Sequence, residues 1–491
     1  MSVKSQLACL LILLAATTFA AAGETVLIAD AVERHDSAAI RRLLNGRADV
    51  NATQPDGMTA LHWATWHDDT DTVKQLLAAG ADAKAANRYG VTPLALACTS
   101  GNTAVVQILL DAGADAKAAL PGGETMLMTA ARTGRLGPVK ALLAMGVDVN
   151  AREAKGQTAL MWAAAEGHID VVDELLKAEA DFRTPLPSGF TPLFFAVREG
   201  RSDVVFRLLN AGCDINEPMR PERRFGSARG RATNPLLLAV ENGHFELASS
   251  LLNAGADPNA HPAGFTALHA MSWVRKPIRG DGDPPPIGSG RMSSLEMVRQ
   301  LVAYKADINA RLEKGDGGRG KFTTSGSTPF VMAARTCDVP LMRLLLELGA
   351  DPNLANADSC TPLLAASGVG ALGDGDEAAG TEEEAVEACR LLLDLGADVN
   401  AVDKNGETAM HGAMYQDRWQ LVQLFDSRGA DIKVWNTTNK WGWTPLMIAQ
   451  GHRPGNFRPE PDSIPIIEAA MRAKGVTPPP PVPREVRTWT P

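Results

Sequence analysis

The sequence has little that marks a catalyst or a nucleic-acid binder. Its 491 residues carry 48 Lys and Arg against 57 Asp and Glu, a net charge of −9. There is no basic excess to draw it to a phosphate backbone. No Gly-x-Ser-x-Gly, His-Glu-x-x-His or phosphate-cradling glycine loop occurs. Gly315–Gly320 is rich in glycine but joins no strand to a helix. No Cys-x-x-Cys-His is present, which excludes attached haem. Past residue 22 no run is long and apolar enough for the ~20 residues of a bilayer span. Aromatic residues are scarce, at 5%.

The first 22 residues are different. Lys4 gives a small positive start, Leu7 to Phe19 is apolar and uncharged, and Ala20-Ala21-Ala22 offers a small-residue cleavage site. At about 14 residues the run is too short for a membrane anchor. Cys9 stands near the start of the apolar run rather than after it, which argues against a lipid attachment site. A cleaved signal peptide over 1–22 and an exported mature chain, periplasmic or extracellular, are expected.

The rest is organised around a period. Asp56-Gly57-Met58-Thr59-Ala60-Leu61-His62-Trp63-Ala64 recurs, and Thr59, Thr92, Thr125, Thr158 and Thr191 follow one another at 33-residue steps. Each Thr suits the N-cap of a short helix, and Pro93 or Pro192 suits its first turn. A second apolar run follows, such as Val73-Lys74-Gln75-Leu76-Leu77, and stops at Gly80-Ala81-Asp82. Two such helices cannot bury their own apolar faces; stacking on neighbours does. Leu76, Leu109, Leu142, Leu175 and Leu208 are the expected core. Later units begin at Asn234, Thr266, Thr328, Thr361, Thr408 and Thr444, giving about twelve with the first.

These residues resemble the ankyrin repeat family, whose pattern is Thr-Pro-Leu-His-x-Ala, Gly-His, Val-Val-x-x-Leu-Leu, Gly-Ala-Asp-x-Asn. The resemblance covers nearly the whole chain past residue 22. It implies an all-α helix-turn-helix solenoid with β-hairpin fingers. The expected divisions are 23–54 as an N-terminal cap, 55–216 as regular repeats, 217–477 as repeats with insertions and 478–491 as a Pro-rich tail. Comparison of helix positions places the extra residues in 217–231, Val274–Met292, 312–325, 367–384 and 453–463.

The resemblance also implies a protein partner held on a concave face, with contacts one residue before the Thr and seven or eight after it. Those slots hold Met58, Trp66, His67, Arg132, Phe190, Arg198, Phe265, Trp273, Arg335, Tyr415 and Trp443, and Tyr89 stands near a fingertip, three before Thr92. The return of aromatic and Arg side chains at these slots exceeds the 5% background, and such residues anchor interfaces well. Trp273 and Trp443 also have a competing explanation, packing under nearby insertions.

Other groups have structural explanations. His62, His269 and His411 fill the Thr-x-Leu-His slot, and the resemblance implies that they bond locally. His168, His244 and His452 fill the Gly-His turn. His35, His67 and His261 are left over in different units, so no metal site is expected. Cys98, Cys213 and Cys389 stand where other units have Ala or Val and are expected as small core residues. Cys337 and Cys360 are separated by about nine helical residues, or ~13 Å, so no disulfide is expected. Thr381 with Glu382, Glu383 and Glu384 reads as a capping box at a helix start. The arginines at 220, 223, 224, 229 and 231 are a solvated loop or a site for an acidic partner.

The reading is an exported, monomeric scaffold without cofactor, metal or nucleic acid. Two alternatives stay open. One is a hydrolase-like enzyme with its site among the C-terminal insertions. The other is a secreted effector or toxin-neutralising protein.

Overall fold

A computed structural model describes residues 27–219, 221, 232–276, 286–315, 321–371, 380–452 and 459–481. The signal-peptide segment, the five arginines of 220–231 and residues 482–491 of the tail lie outside the described residues, as do parts of the other insertions.

Twenty-five helices are present among the described residues. The first ten, in pairs, are α1 Ile28–Glu33 and α2 Ser37–Asn45, α3 Ala60–Trp66 and α4 Thr70–Ala78, α5 Pro93–Ser100 and α6 Thr103–Asp111, α7 Met126–Thr133 and α8 Leu136–Ala144, α9 Ala159–Glu166 and α10 Ile169–Lys177. Then come α11 Pro192–Arg198 and α12 Ser202–Asn210, α13 Pro235–Glu241 and α14 Phe245–Asn253, α15 Ala267–Arg275 and α16 Ser294–Ala303, α17 Pro329–Arg335 and α18 Val339–Glu347, α19 Pro362–Ser367 and α20 Glu382–Asp394, α21 Ala409–Tyr415 and α22 Trp419–Ser427. A single turn, α23 Ile432–Trp435, precedes the last pair, α24 Pro445–Ala449 and α25 Ser463–Ala473. The pairs number twelve among the described residues.

The chain forms two compact units that divide within α9 and α10. One contains the chain up to Ala163 with Asp173–Ala180, the other Ala164–Val172 with the chain from Asp181. In the first unit the first helices pack in series, α1 on α3, α3 on α5 and α5 on α7, and the second helices follow, α4 on α6 and α6 on α8. In the second unit α11, α13, α15, α17, α19, α21 and α24 pack in series. Leu76, Leu109, Leu142, Leu175 and Leu208 are all fully buried, as the period requires.

The Thr caps perform as expected where the hydroxyl is free to accept: Thr92 from the Ala95 N–H at 3.2 Å, Thr328 from Val331 at 3.2 Å, Thr444 from Met447 at 3.3 Å. Thr191 departs from this; its buried hydroxyl has no hydrogen-bond partner. The capping box at Thr381 is present, with the Glu384 N–H donating to Thr381 Oγ1 at 3.2 Å and the Thr381 N–H to Glu384 Oε2 at 2.9 Å.

Two bonds that the period conceals join neighbouring pairs. Asn51 of the Asp-x-Asn motif donates its amide to the Gly80 carbonyl at 3.1 Å and accepts the Asp82 N–H at 2.8 Å. Asn259 repeats this with the Lys305 carbonyl and the Asp307 N–H at 2.9 and 2.7 Å. The histidines bond beyond their own pair. His62 Nδ1 takes the Thr59 hydroxyl at 2.7 Å, and its Nε2 reaches the Val91 carbonyl at 3.0 Å; His269 and His411 reach the Ser327 and Trp443 carbonyls in the same way. Burial holds His269 and His411 down to about 4, so both are neutral bridges at neutral pH.

Two expectations are corrected. The fingers form no β-strand among the described residues; only the isolated bridges Ala119–Thr125 and Met219–Thr233 occur. Among the described residues, fingers are closed by their own turns, as where the Asn87 N–H meets the Val91 carbonyl at 2.9 Å, and reach their neighbours through single bonds such as Arg88 N–H to the Asp56 carbonyl at 3.0 Å. Such isolated bonds build no ladder. Gly57, at φ +87°, admits this approach, because a Cβ there would stand 2.9 Å from the Arg88 nitrogen. The second correction is Cys213, which is only half-buried although Ala114, Ala256 and Ala350 in the same slot after a helix-stopping glycine are buried; Cys98, Cys337, Cys360 and Cys389 are buried, and all five thiols are free.

Candidate protein-binding surface

The slots before and after each Thr lie at the end of a finger and on the last turn of a first helix. The two flank one short first helix, and in several pairs the structure brings them into contact. Phe190 lies 5.2 Å below the Arg198 guanidinium, which is also 5.1 Å from the Phe195 ring. Phe265 meets Trp273 edge to face at 4.9 Å. Glu407 accepts the Tyr415 hydroxyl at 2.6 Å. The candidate slots therefore cover one another where both side chains are large.

In the first unit this covering is slight. Trp66 is 47% exposed and Tyr89 63% exposed. Met58, His67 and Arg132 are half-buried. Arg132 lies 5.8 Å from the centroid of Trp162, a cation–π geometry that holds the guanidinium on the surface. Trp162 was not among the sequence candidates; it stands four residues after Thr158, a slot the motif does not mark. Its indole N–H is buried with no hydrogen-bond partner. Trp63, in the same slot after Thr59, donates to Gln54 Oε1 at 2.6 Å. The rings of His35 and His67, expected apart in different pairs, meet tilted at 42° with centroids 3.8 Å apart, because equivalent turns of neighbouring pairs are adjacent in space. His67 is held below its ordinary value, first by burial and then by His35. Among the described residues no three His, Cys, Asp or Glu side chains gather as metal ligands.

In the second unit several candidates are covered. Tyr415 is completely buried and Phe265 nearly so, which removes both from the surface. Tyr415 turns inward because Glu407 and Asn439 form a polar pocket for its hydroxyl: Asn439 Nδ2 stands 3.1 Å from Glu407 Oε1 and 3.2 Å from the Tyr415 oxygen. Trp443 stacks on Trp441 at 5.8 Å, and both are half-buried. Arg335 lies over the Phe322 ring at 4.6 Å. His261 pairs with Glu313 at 3.0 Å. A shallow polar pocket of about 310 Å³ is lined by Glu166, Gly167 and Gly200–Val204. It contains no histidine or cysteine beside Ser202.

Glu407 has a measurable consequence. Burial pushes its carboxyl up to about 7; the Tyr415 bond opposes this, Asp403 adds to it, and Asn439 opposes it. Asp403 itself is raised by burial, with Asp358 nearby. The folded value lies above the unfolded one, so this contribution to stability is full below about pH 4.5 and is lost as pH rises through 7. Glu407→Gln keeps an oxygen for Tyr415 and Asn439 and carries no charge. The variant is expected to retain protection of Ala409–Tyr415 in hydrogen exchange between pH 5 and 8, where the parent loses it. Parallel pH profiles would contradict this.

No helix among the described residues is long and apolar enough to cross a membrane. The family profile described as "Ankyrin repeats (3 copies)" matches residues 3–87, 27–120, 67–153, 127–219 and 377–456, and that described as "Ankyrin repeat" matches 233–261 and 325–357. The chain is similar to human Ankyrin repeat and SOCS box protein 6, 32% identical over 162 residues, 32% of each chain. It is similar to an Ankyrin repeat and LEM domain-containing protein 1 homolog of Caenorhabditis elegans, 39% identical over 75 residues, 15% of this chain and 10% of that one. A putative ankyrin repeat protein of fowlpox virus is 28% identical over 147 residues, 30% of this chain and 32% of that one. The chain spans a third or less of the length of these relatives. The profile matches cover more than half of the sequence, and the protein belongs to the ankyrin repeat family.

Proposed function

We propose that this chain is an exported scaffold that holds a protein partner on the fingertips and first helices of its first unit, with Trp66, Tyr89 and Arg132 as anchors. Ankyrin repeat arrays are usually non-enzymatic binding scaffolds with protein partners. The observation that carries the choice of surface is the exposure of Trp66 and Tyr89 at 47% and 63% in a chain with few aromatic residues. Large rings left in water are a cost that a partner relieves, and Trp, Tyr and Arg are the side chains most often found at the centre of interfaces. Export rests on Lys4, the apolar run Leu7–Phe19 and Ala20–Ala22.

The test is capture of a partner from an envelope extract by the mature chain, run beside an activity screen on generic esters and peptides. A stoichiometric protein partner without turnover is expected, and the mass of the mature chain should place its N-terminus near Gly23. Turnover without a captured protein, or a full-length chain beginning at Met1, would contradict the binding and the export parts respectively.

A further inference from the structure

We infer that Lys321–Thr324 is a ligand built into the chain, which fills the first-helix face of the α17 and α19 pairs as an extended Phe-Thr segment of a partner would. In the first unit the two open slots are the fingertip three residues before a Thr, held by Tyr89, and the last helical turn seven residues after one, held by Trp66. The corresponding positions in the second unit are Asp358, three before Thr361, and Arg335, seven after Thr328. Phe322 meets Arg335 and Thr323 meets Asp358, so this segment covers both.

The contacts are those of a recognised peptide. The Phe322 ring lies 4.6 Å from the Arg335 guanidinium and is only 7% exposed. Its backbone N–H donates to the Gly370 carbonyl at 3.1 Å. The next carbonyl, Thr323, accepts the Asn356 amide at 2.6 Å, and the Thr323 hydroxyl donates to Asp358 Oδ2 at 2.5 Å. One ring, one backbone donor, one backbone acceptor and one hydroxyl are thus all satisfied, by residues from a finger and from the end of a first helix. The close approach is provided for at Gly370. Its φ is +77°, and a Cβ there would stand 2.4 Å from the Phe322 nitrogen. A finger whose only role was to close its turn would need none of this. Its closure is already made at its base, where the Thr324 N–H meets the Gly315 carbonyl at 2.9 Å.

The consequence is a division of access. A partner reaches the face of the first unit directly. On the α17 and α19 pairs it competes with a tethered segment, whose effective concentration is in the millimolar range for a short linker. A partner that binds there must itself present an extended aromatic-hydroxyl segment. The inference rests on first-helix faces being binding faces, but its test uses no partner, so it fails or succeeds separately from the function proposed above.

The experiment is hydrogen exchange on the full chain. In the parent, the Phe322 amide is expected to exchange at least tenfold more slowly than in a free peptide. Phe322→Ala and, separately, Arg335→Ala should each remove that protection while α18 keeps its own, which shows that the pair is still folded. The peptide Lys-Phe-Thr-Thr-Ser, added to Phe322→Ala at millimolar concentration, should slow exchange at residues 368–371; the same peptide with Ala for Phe should not. An unprotected Phe322 amide in the parent would overturn the inference. So would protection unchanged in both variants, or no response to the peptide.

Discussion

Leu76→Ala is expected to cost ~2–5 kcal/mol, and to be felt in its own pair before any other. Leu76 is fully buried on α4, which packs on α3 within the pair and on α6 beside it. Truncation removes apolar contacts from both partners and leaves a cavity that short helices between fixed turns cannot close. Repeat arrays are sums of pair stabilities and neighbour interfaces, so the loss shows as faster exchange in α3 and α4 and less in distant pairs. The α1–α2 and α24–α25 pairs should exchange fastest in the parent. In α2 only Ala39 and Ile40 are buried, while Leu43 and Leu44 are half-exposed. One uniform level of protection along the chain, or a uniform fall in the variant, would contradict this account.

Most of the fold was legible because it is repeated. Ten of the twelve first helices follow a Thr and six begin with Pro, so the same local preference is stated again and again, and helix starts such as Pro93, Pro192 and Pro445 follow from it. What the period could not show is what lies above each slot. Tyr415 occupies the same slot as Trp66, yet one is buried and the other open. The difference is Glu407 beside Tyr415, a polar group that draws the hydroxyl inward, and no motif marks it. Phe265 was lost from the surface for a related reason, since its neighbour at the seventh position is Trp273, large enough to cover it. Phe322 lies in an insertion, outside the repeat, and only its contact with Arg335 reveals its place. The fingers were expected as hairpins from family resemblance; their hydrogen bonds run singly to neighbouring fingers, a pairing that sequence spacing does not encode. The turn α23 was missed because nothing in the motif marks it: Asp431 accepts the Lys433 N–H just as Asp82 accepts that of Lys84 in a unit that makes no helix there.

The central claim is that the first unit presents its partner-binding surface through Trp66, Tyr89 and Arg132. The most direct measurement is the affinity of a captured partner for the triple variant Trp66→Ala, Tyr89→Ala, Arg132→Ala. Trp66 and Tyr89 stand largely in water and Arg132 lies across the surface of Trp162, so the helical signal of the variant should match the parent's. Binding should weaken tenfold or more, about 1.4 kcal/mol or greater. A folded triple variant that binds the partner as tightly as the parent would contradict the account.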